Sequence, residues 1–205
     1  MVKLQAPNQG LQVNDEPLVY IIDDVLSQEE CEHIIALSEE NMSRAEVAAE
    51  SGNKKSNVRT GSVHWVKHDK TKQVSDIVDR VSKIVGMPQT HAESLQVIHY
   101  GKTQEYKPHF DAFDLSTDKG LIRTKKGGQR LITVLLYLNE VKQGGGTTFP
   151  KLNYVVEPKV GRAVVFHNCH KDTNTRHQNS LHGGLPVEQG EKWAFNLWYR
   201  ERRLK

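Results

Sequence analysis

Long apolar runs are missing from this 205-residue chain: no stretch approaches the roughly 18–20 residues that a membrane-spanning helix needs. The first ten residues, Met1 to Gly10, hold no apolar segment of the kind a secretory leader carries. Cysteine is scarce. Two thiols exclude a disulfide scaffold and, without a leader, read as reduced groups in a cytoplasmic protein. Neither sign of charge dominates. A formal net charge of +3 is too small to suggest nucleic acid or a membrane surface as a partner. Internal repeats and low-complexity tracts are also absent, and 37% hydrophobic with 26% charged residues excludes disorder. What the chain has in quantity is histidine, ten residues or about one in twenty. Imidazole is the commonest protein metal ligand and titrates nearest neutral pH.

Two amphipathic helices are expected early. Ser27-Gln28-Glu29-Glu30 is a capping box, followed by an apolar stripe at Cys31, Ile34, Ile35 and Leu37. Val74, Ile77, Val78, Val81, Ile84 and Val85 form a second stripe that Gly86 and Pro88 terminate. Beyond residue 90 the pattern turns β-like, with runs at Leu95–Tyr100, Leu131–Leu138, Arg162–Phe166 and Lys192–Tyr199. Leu18–Ile22 and Ser62–Val66 are weaker candidates to extend the sheet. Short strands with long connections and no βαβ alternation point to a sandwich or jelly roll. Ala45–Gly61, Asp114–Gln129 and His167–Ser180 read as loops; the middle one carries Lys119, Arg123, Lys125 and Lys126.

An acidic residue two places after a histidine is expected about once by chance at this composition, and three such triplets occur. His91-Ala92-Glu93 reads as a surface linker. His170-Lys171-Asp172 shares a loop with His167, Cys169 and His177, which raises a one-thiolate zinc site as a rival; the only other cysteine, Cys31, lies on an apolar helix face. His109-Phe110-Asp111 follows a strand-like run, and in extended chain residues i and i+2 point to the same side. Alone, His109 would read as a surface residue. Downstream, however, His182 stands in Leu181-His182-Gly183-Gly184, where the glycines permit close backbone approach. Two histidines and one carboxylate with other positions open make the facial triad of non-haem Fe(II) sites. Ten residues after His182 comes Lys192, opening a strand in which Lys192, Ala194, Asn196 and Trp198 share one face. Trp193, Phe195, Leu197 and Tyr199 share the other, an apolar face suited to sheet-to-sheet packing. A lysine directed into such a fold needs an anion.

From about Leu18 to Arg200 the chain resembles the 2-oxoglutarate- and Fe(II)-dependent prolyl 4-hydroxylases, in particular the short single-domain bacterial, algal and viral forms. The resemblance is carried by Val25–Cys31, Arg59-Thr60, Gln104–Asp111, Gly128-Gln129-Arg130, Tyr137-Leu138-Asn139 through Gly144–Pro150, and Leu181–Val187 through Gly190–Trp193. It implies a mostly β, α+β fold: a double-stranded β-helix (jelly-roll) core with N-terminal helices packed on one side. It also implies a single oxygenase domain over 1–205, with an N-terminal extension at 1–17, a helical support region at 18–90 and the β-helix core at 91–200.

By position, the resemblance implies His109, Asp111 and His182 as iron ligands and Lys192 as the partner of the distal carboxylate of 2-oxoglutarate. Tyr100 and Thr147 match hydroxyls that support the same carboxylate, and Tyr106, Arg130 and Trp198 match positions near a peptidyl substrate. Gly146 departs from the family's usual glutamate and would loosen the loop that carries Thr147. The implied activity is hydroxylation of prolyl residues at the 4-position in a proline-containing peptide or protein. O2 is consumed, succinate and CO2 are released, and ascorbate is expected as an auxiliary reductant. With a peptide substrate the two long loops, 45–61 and 114–129, would close over it as lids; the alternative is that they are merely mobile connections. The alternatives are the same chemistry on a free amino acid or small molecule, a nucleic-acid oxygenase, and a non-catalytic peptide-binding module. Lys192 and the low net charge weigh against the second, and the intact candidate ligands weigh against the third.

Overall fold

The computed structural model describes residues 10–44, 46–49, 52–55 and 58–204. The chain runs β1 (Leu11–Asp15), β2 (Leu18–Ile22), α1 (Gln28–Ser38), β3 (Ser43–Arg44), β4 (Glu46–Ala49), β5 (Gly52–Lys55), β6 (Ser62–Val66) and α2 (Lys72–Val85). It continues with β7 (Leu95–Tyr100), β8 (Tyr106–His109), α3 (Asp118–Thr124), β9 (Arg130–Tyr137), β10 (Gln143–Gly144) and β11 (Thr147–Phe149). The last elements are β12 (Tyr154–Val156), β13 (Ala163–His167), β14 (His182–Gly184), β15 (Val187–Gln189) and β16 (Lys192–Arg200).

An eight-stranded sheet in the order β1-β2-β13-β9-β16-β7-β6-β3 faces a four-stranded sheet in the order β12-β11-β14-β8. The pairings within both are antiparallel. This is a jelly roll with helices on its outer face.

The helices form where their stripes and caps direct. Ser27 Oγ accepts from Glu30 N at 3.2 Å and Glu30 Oε2 accepts from Ser27 N at 3.0 Å, which closes the capping box of α1. Helix α2 starts with the Thr71 hydroxyl accepting from Val74 N and stops at Gly86, whose φ of +64° suits a residue without a side chain. Arg80 of α2 grips Glu30 of α1 through two 2.7 Å hydrogen bonds, fixing the helices to each other.

Two cores divide along the alternation of the large sheet. Cys31 and Ile34 from α1 and Val74, Ile77, Val78, Val81 and Val85 from α2 pack on Leu95, Val97, Ile132, Val134, Leu136, Trp193, Phe195, Leu197 and Tyr199. The opposite face contributes Ile98, Tyr100, Leu135, Tyr137, Val164, Phe166 and Ala194, which meet Phe149, Val156 and Val187 between the sheets. The apolar face of the last strand therefore lies under the helices. The face with Lys192 is the one between the sheets, on the side of His182 as expected; what differs is that the apolar face meets helices in place of a second sheet. Being longer and more continuously apolar, the Trp193–Tyr199 row suits the larger helix-covered core.

Three further expectations change. The segment Leu11–Asp15, placed by sequence in an N-terminal extension, is edge strand β1, and β2, β3 and β6 bring the 18–90 region into the large sheet as well as into the helices. The 45–61 stretch, expected to be a loop, contains the hairpin β4–β5, with residues 45, 50, 51, 56 and 57 outside the described part. The 114–129 stretch contains α3, capped by the Thr117 hydroxyl accepting from Gly120 N at 3.1 Å. In both stretches the local pairing or capping is short-range and lacks an apolar stripe, so sequence periodicity gives no sign of it.

Candidate active site and metal centre

Strand β8 and strand β14 place His109 and His182 directly opposite each other in register. A side chain at Gly183 would put its Cβ 2.9 Å from the Tyr106 carbonyl oxygen and 3.1 Å from Pro108 N. The glycine thus permits the approach that brings the two imidazoles together. Their ring centroids are 4.4 Å apart. Asp111, just past the end of β8, closes the group: Oδ1 is 3.7 Å from His109 Nε2 and Oδ2 is 3.4 Å from His182 Nε2. The three donor atoms lie within 4.8 Å of one another.

The outer contacts prepare these atoms for a cation. His109 Nδ1 lies 3.0 Å from the Lys107 carbonyl and His182 Nδ1 lies 2.9 Å from the Ser180 carbonyl. A carbonyl only accepts, so each Nδ1 carries the proton and each Nε2 lone pair faces the centre. Burial pushes the His109 imidazole down to about 3, helped by the neighbouring His182, so it stays neutral at physiological pH. Burial also opposes ionisation of Asp111, but His182, His109 and Arg130 outweigh it and hold the carboxyl well below the usual range. Thr133 on β9 donates to Asp111 Oδ2 at 2.7 Å, and Asn168 Nδ2 donates to the Thr133 hydroxyl at 2.9 Å. Two imidazoles and one carboxylate, with the remaining directions open to a cavity, fit Fe(II).

That cavity, of about 360 Å³, is lined among others by Tyr100, Tyr106, His109, Asp111, Arg130, Thr147, His182, Lys192 and Trp198. The nine side chains singled out by sequence therefore share one space. At its inner end Lys192 stands in register with Tyr100. Lys192 is 2% exposed, its ammonium lies 5.1 Å from the centre of the Tyr137 ring, and no described carboxylate is within ion-pair reach. Burial alone lowers its pKa to about 7. Tyr137 and Thr147 hydroxyls are 2.6 Å apart, and the Tyr137 hydroxyl donates to the Val156 carbonyl at 3.0 Å. Thr147 is buried and paired on both sides by β12 and β14, while a Cβ at Gly146 would lie 3.1 Å from the Val156 oxygen. Gly146 therefore marks close strand packing, in place of the looseness expected from its departure.

At the outer end, Arg130 holds Glu93 through two hydrogen bonds, Nε to Oε1 at 2.7 Å and Nη2 to Oε2 at 2.8 Å. Its guanidinium lies 3.7 Å from the centre of the Trp198 ring. Arg200 adds a further bond to Glu93 Oε1 at 2.9 Å. Glu93 is thus a half-buried ion-network residue and Ala92 is fully buried, which corrects the surface-linker reading of His91-Ala92-Glu93. Trp198 Nε1 is buried without a hydrogen-bond partner. Tyr106 stacks on His109 at 3.6 Å and 18°, and burial raises its phenol to about 12, so it remains a donor.

Sequence reasoning did not single out Arg59, Gln96, Thr133, Tyr137 or Asn196 as site residues. Thr133 and Tyr137 had a signal: they interrupt an otherwise apolar strand on one alternating face. Arg59 had none in periodicity, since an isolated bridge to Tyr106 places it.

The rival zinc site does not assemble as expected. His170 and His177 gather around Glu16 with contacts of 3.8 and 3.6 Å, but Cys169 is absent from the group. Its thiol is directed at the Arg130 carbonyl, and His177 Nδ1 accepts from Asn179 N at 3.0 Å. The His177 proton therefore sits on Nε2, the atom that a metal would need.

Comparison with known proteins agrees with this geometry. Residues 95–200 match the model of the 2OG-Fe(II) oxygenase superfamily. The probable prolyl 4-hydroxylase 3 of Arabidopsis thaliana is 36% identical over 89% of this chain and 69% of its own length. A putative prolyl 4-hydroxylase of Acanthamoeba polyphaga mimivirus is 34% identical over 90% of this chain and 75% of its own. Among solved structures, the viral collagen prolyl hydroxylase of Paramecium bursaria Chlorella virus-1, in its 2OG complex, superposes with a TM-score of 0.72. It is 26% identical, and the match covers 92% of this chain and 98% of that one.

Proposed function

The chain belongs to the 2OG-Fe(II) oxygenase superfamily and, within it, to the prolyl 4-hydroxylases. From that premise we propose that it hydroxylates prolyl residues at the 4-position in a peptide or protein, consuming O2 and 2-oxoglutarate and releasing succinate and CO2. The observation that carries this reading is the union, in one cavity, of the His109–Asp111–His182 donor set with a buried, unpaired Lys192. Ascorbate belongs to the reading by family resemblance alone. No helix among the described residues is long and apolar enough to cross a membrane.

Iron with 2-oxoglutarate and dioxygen supplies an oxidant able to attack an unactivated C–H bond. The chain's own work is to hold and orient. His109, Asp111 and His182 would hold the metal. Their Nδ1 protons are committed to backbone carbonyls and Asp111 is tethered to Thr133, so the donor set is organised before metal arrives. Lys192 supplies the cation for the distal carboxylate of 2-oxoglutarate, with the Tyr100 and Thr147 hydroxyls near it. Leu135 and Ile98 line the same cavity and exclude water from the carbon chain between the two ends. At the mouth, Tyr106, Trp198 and the clamped Arg130 form a flat aromatic and cationic surface. A proline-rich strand, already extended as polyproline II, loses little entropy in docking on such a surface.

The deciding experiment loads the protein anaerobically with Fe(II) and 2-oxoglutarate, admits oxygen in the presence of a proline-rich peptide, and follows both products. Gain of one oxygen on proline with equimolar succinate is the expected result. Succinate without peptide oxidation would remove the prolyl claim and leave an oxygenase of another substrate, such as a free amino acid.

A further inference from the structure

Of the six lysine, arginine and acidic residues that line the cavity, five are cations: Arg59, Lys119, Arg123, Arg130 and Lys192. The sixth is Asp111. Their charges are not all answered within the site. Asp111 and the near carboxylate of 2-oxoglutarate match the two charges of Fe(II), and the far carboxylate matches Lys192. Arg130 is matched by Glu93, which Arg200 also contacts. Lys119 has a partner of its own, which leaves Arg59 and Arg123.

Arg59 is 7% exposed, yet its partners among the described residues are neutral. Nε donates to the Tyr100 hydroxyl at 3.2 Å, Nη2 donates to Gln96 Oε1 at 3.0 Å, and the guanidinium lies 4.8 Å from the centre of the Tyr106 ring. A buried guanidinium without a counter-charge is costly, and an anion brought by a ligand offsets that cost. Arg123 projects from the solvent-exposed side of α3 toward the same cavity. Among the described residues its guanidinium meets only the face of Phe113, at 5.8 Å.

We propose that the peptide substrate carries an acidic side chain close to the reacting proline, and that Arg59 and Arg123 select for it. Both residues are arginine, whose planar fork suits a carboxylate. Neutral peptides leave both charges unanswered, and basic peptides add to the repulsion. This inference rests on the prolyl reading, since it specifies the substrate of the same site.

The test uses the full chain loaded anaerobically with Fe(II) and 2-oxoglutarate and three dye-labelled peptides that differ only in the residues flanking a central proline: aspartate, asparagine or lysine. Fluorescence anisotropy gives each affinity. The aspartate peptide is expected to bind about tenfold more tightly than the asparagine one, with the lysine peptide weakest. The spread should shrink as salt rises from about 0.05 M to about 0.5 M. Arg123→Glu, at an exposed position, should reverse the order of the charged peptides, and Arg59→Gln should flatten it. Equal affinity for the three peptides overturns the proposal, as does an acidic preference that both variants leave intact. Mass spectrometry of the same peptides after oxygen is admitted separates the two readings. Acidic preference in binding without proline oxidation sinks the prolyl reading alone, whereas equal binding with equal oxidation sinks only the charge selection.

Discussion

Glu93 and Arg130 are joined by two parallel hydrogen bonds, and the same carboxylate accepts from Arg200 at 2.9 Å. Burial alone would push the Glu93 carboxyl up. The two guanidiniums more than offset it and hold it below its ordinary value. This bond pair keeps Arg130 flat over Trp198 at the mouth of the cavity. Removing the carboxylate strands two cations in a half-dry setting, and loss of one partner of a buried pair costs about 3–5 kcal/mol. Glu93→Ala is therefore expected to unfold at markedly lower urea concentration, and the survivors should show a raised KM for peptide with little change in 2-oxoglutarate affinity. A loss below about 1 kcal/mol would mean that the network is a solvated surface pair.

Asp111 depends on Thr133 in a different way. The 2.7 Å hydrogen bond from the Thr133 hydroxyl fixes one carboxylate oxygen, leaving the other free to face a metal in the proposed donor set. Thr133→Val keeps the volume and removes the donor. Supports of this kind typically contribute tenfold to a hundredfold in metal affinity. Titration with Co(II), read by its visible absorption, is expected to show a loss of that size for valine and near-normal binding for Thr133→Ser. Identical affinity in all three proteins would show that the hydroxyl has no part in holding the metal.

Much of this is legible in the sequence. The helix at Ser27 announced itself because a capping box is a local, self-contained pattern, and the second helix because its stripe ran for almost the whole element. The strands Leu18–Ile22, Ser62–Val66 and Leu95–Tyr100 coincide with the observed ones because runs rich in β-branched and aromatic residues end against Pro17, Gly61 and Gly101. The three metal-site candidates stood out through spacing and flanking glycines. What stayed hidden depends on pairing between distant segments. The three-residue strands β11, β12 and β14 have too few positions to show a period, and Glu93 looked like a linker because Arg130 and Arg200, its partners, come 37 and 107 residues later. Which face of β16 meets the helices is likewise set by the neighbouring layers and not by the strand's own alternation.

Lys192 offers a prediction in which stability and function move in opposite directions. Its ammonium is buried with only an aromatic face for company. A charge in that position is a liability to the empty protein and an asset once a dicarboxylate binds. Lys192→Met keeps the length and apolar stem. In the absence of 2-oxoglutarate at pH 6, where the lysine is mostly charged, the variant is expected to melt several degrees higher than the parent, at roughly 2–4 °C per kcal/mol for a domain of this size. Its 2-oxoglutarate affinity should fall a hundredfold or more while Fe(II) affinity changes little. Equal loss of both ligands would show that the substitution has disturbed the site as a whole.

The same residue sets a pH dependence whose sign is fixed. In the empty site burial lowers the Lys192 pKa to about 7, whereas in the unfolded chain a lysine titrates near 10.4. Between those values the unfolded chain holds more protons than the empty folded one. The stability of the ligand-free protein, as far as this group controls it, therefore rises with pH across that window. With Lys192 as the proposed partner of the 2-oxoglutarate carboxylate, binding would restore the charged form, so above pH 7 each molecule bound is expected to draw in a proton, approaching one near pH 8–9. The dissociation constant should then grow about tenfold per pH unit over the same range. Calorimetry in two buffers of different ionisation enthalpy measures that uptake directly, and Lys192→Met supplies the control in which it vanishes. Affinity that is flat from pH 6 to pH 9, with no proton uptake, would mean that Lys192 stays charged without its ligand and that the cavity is wetter than its burial implies.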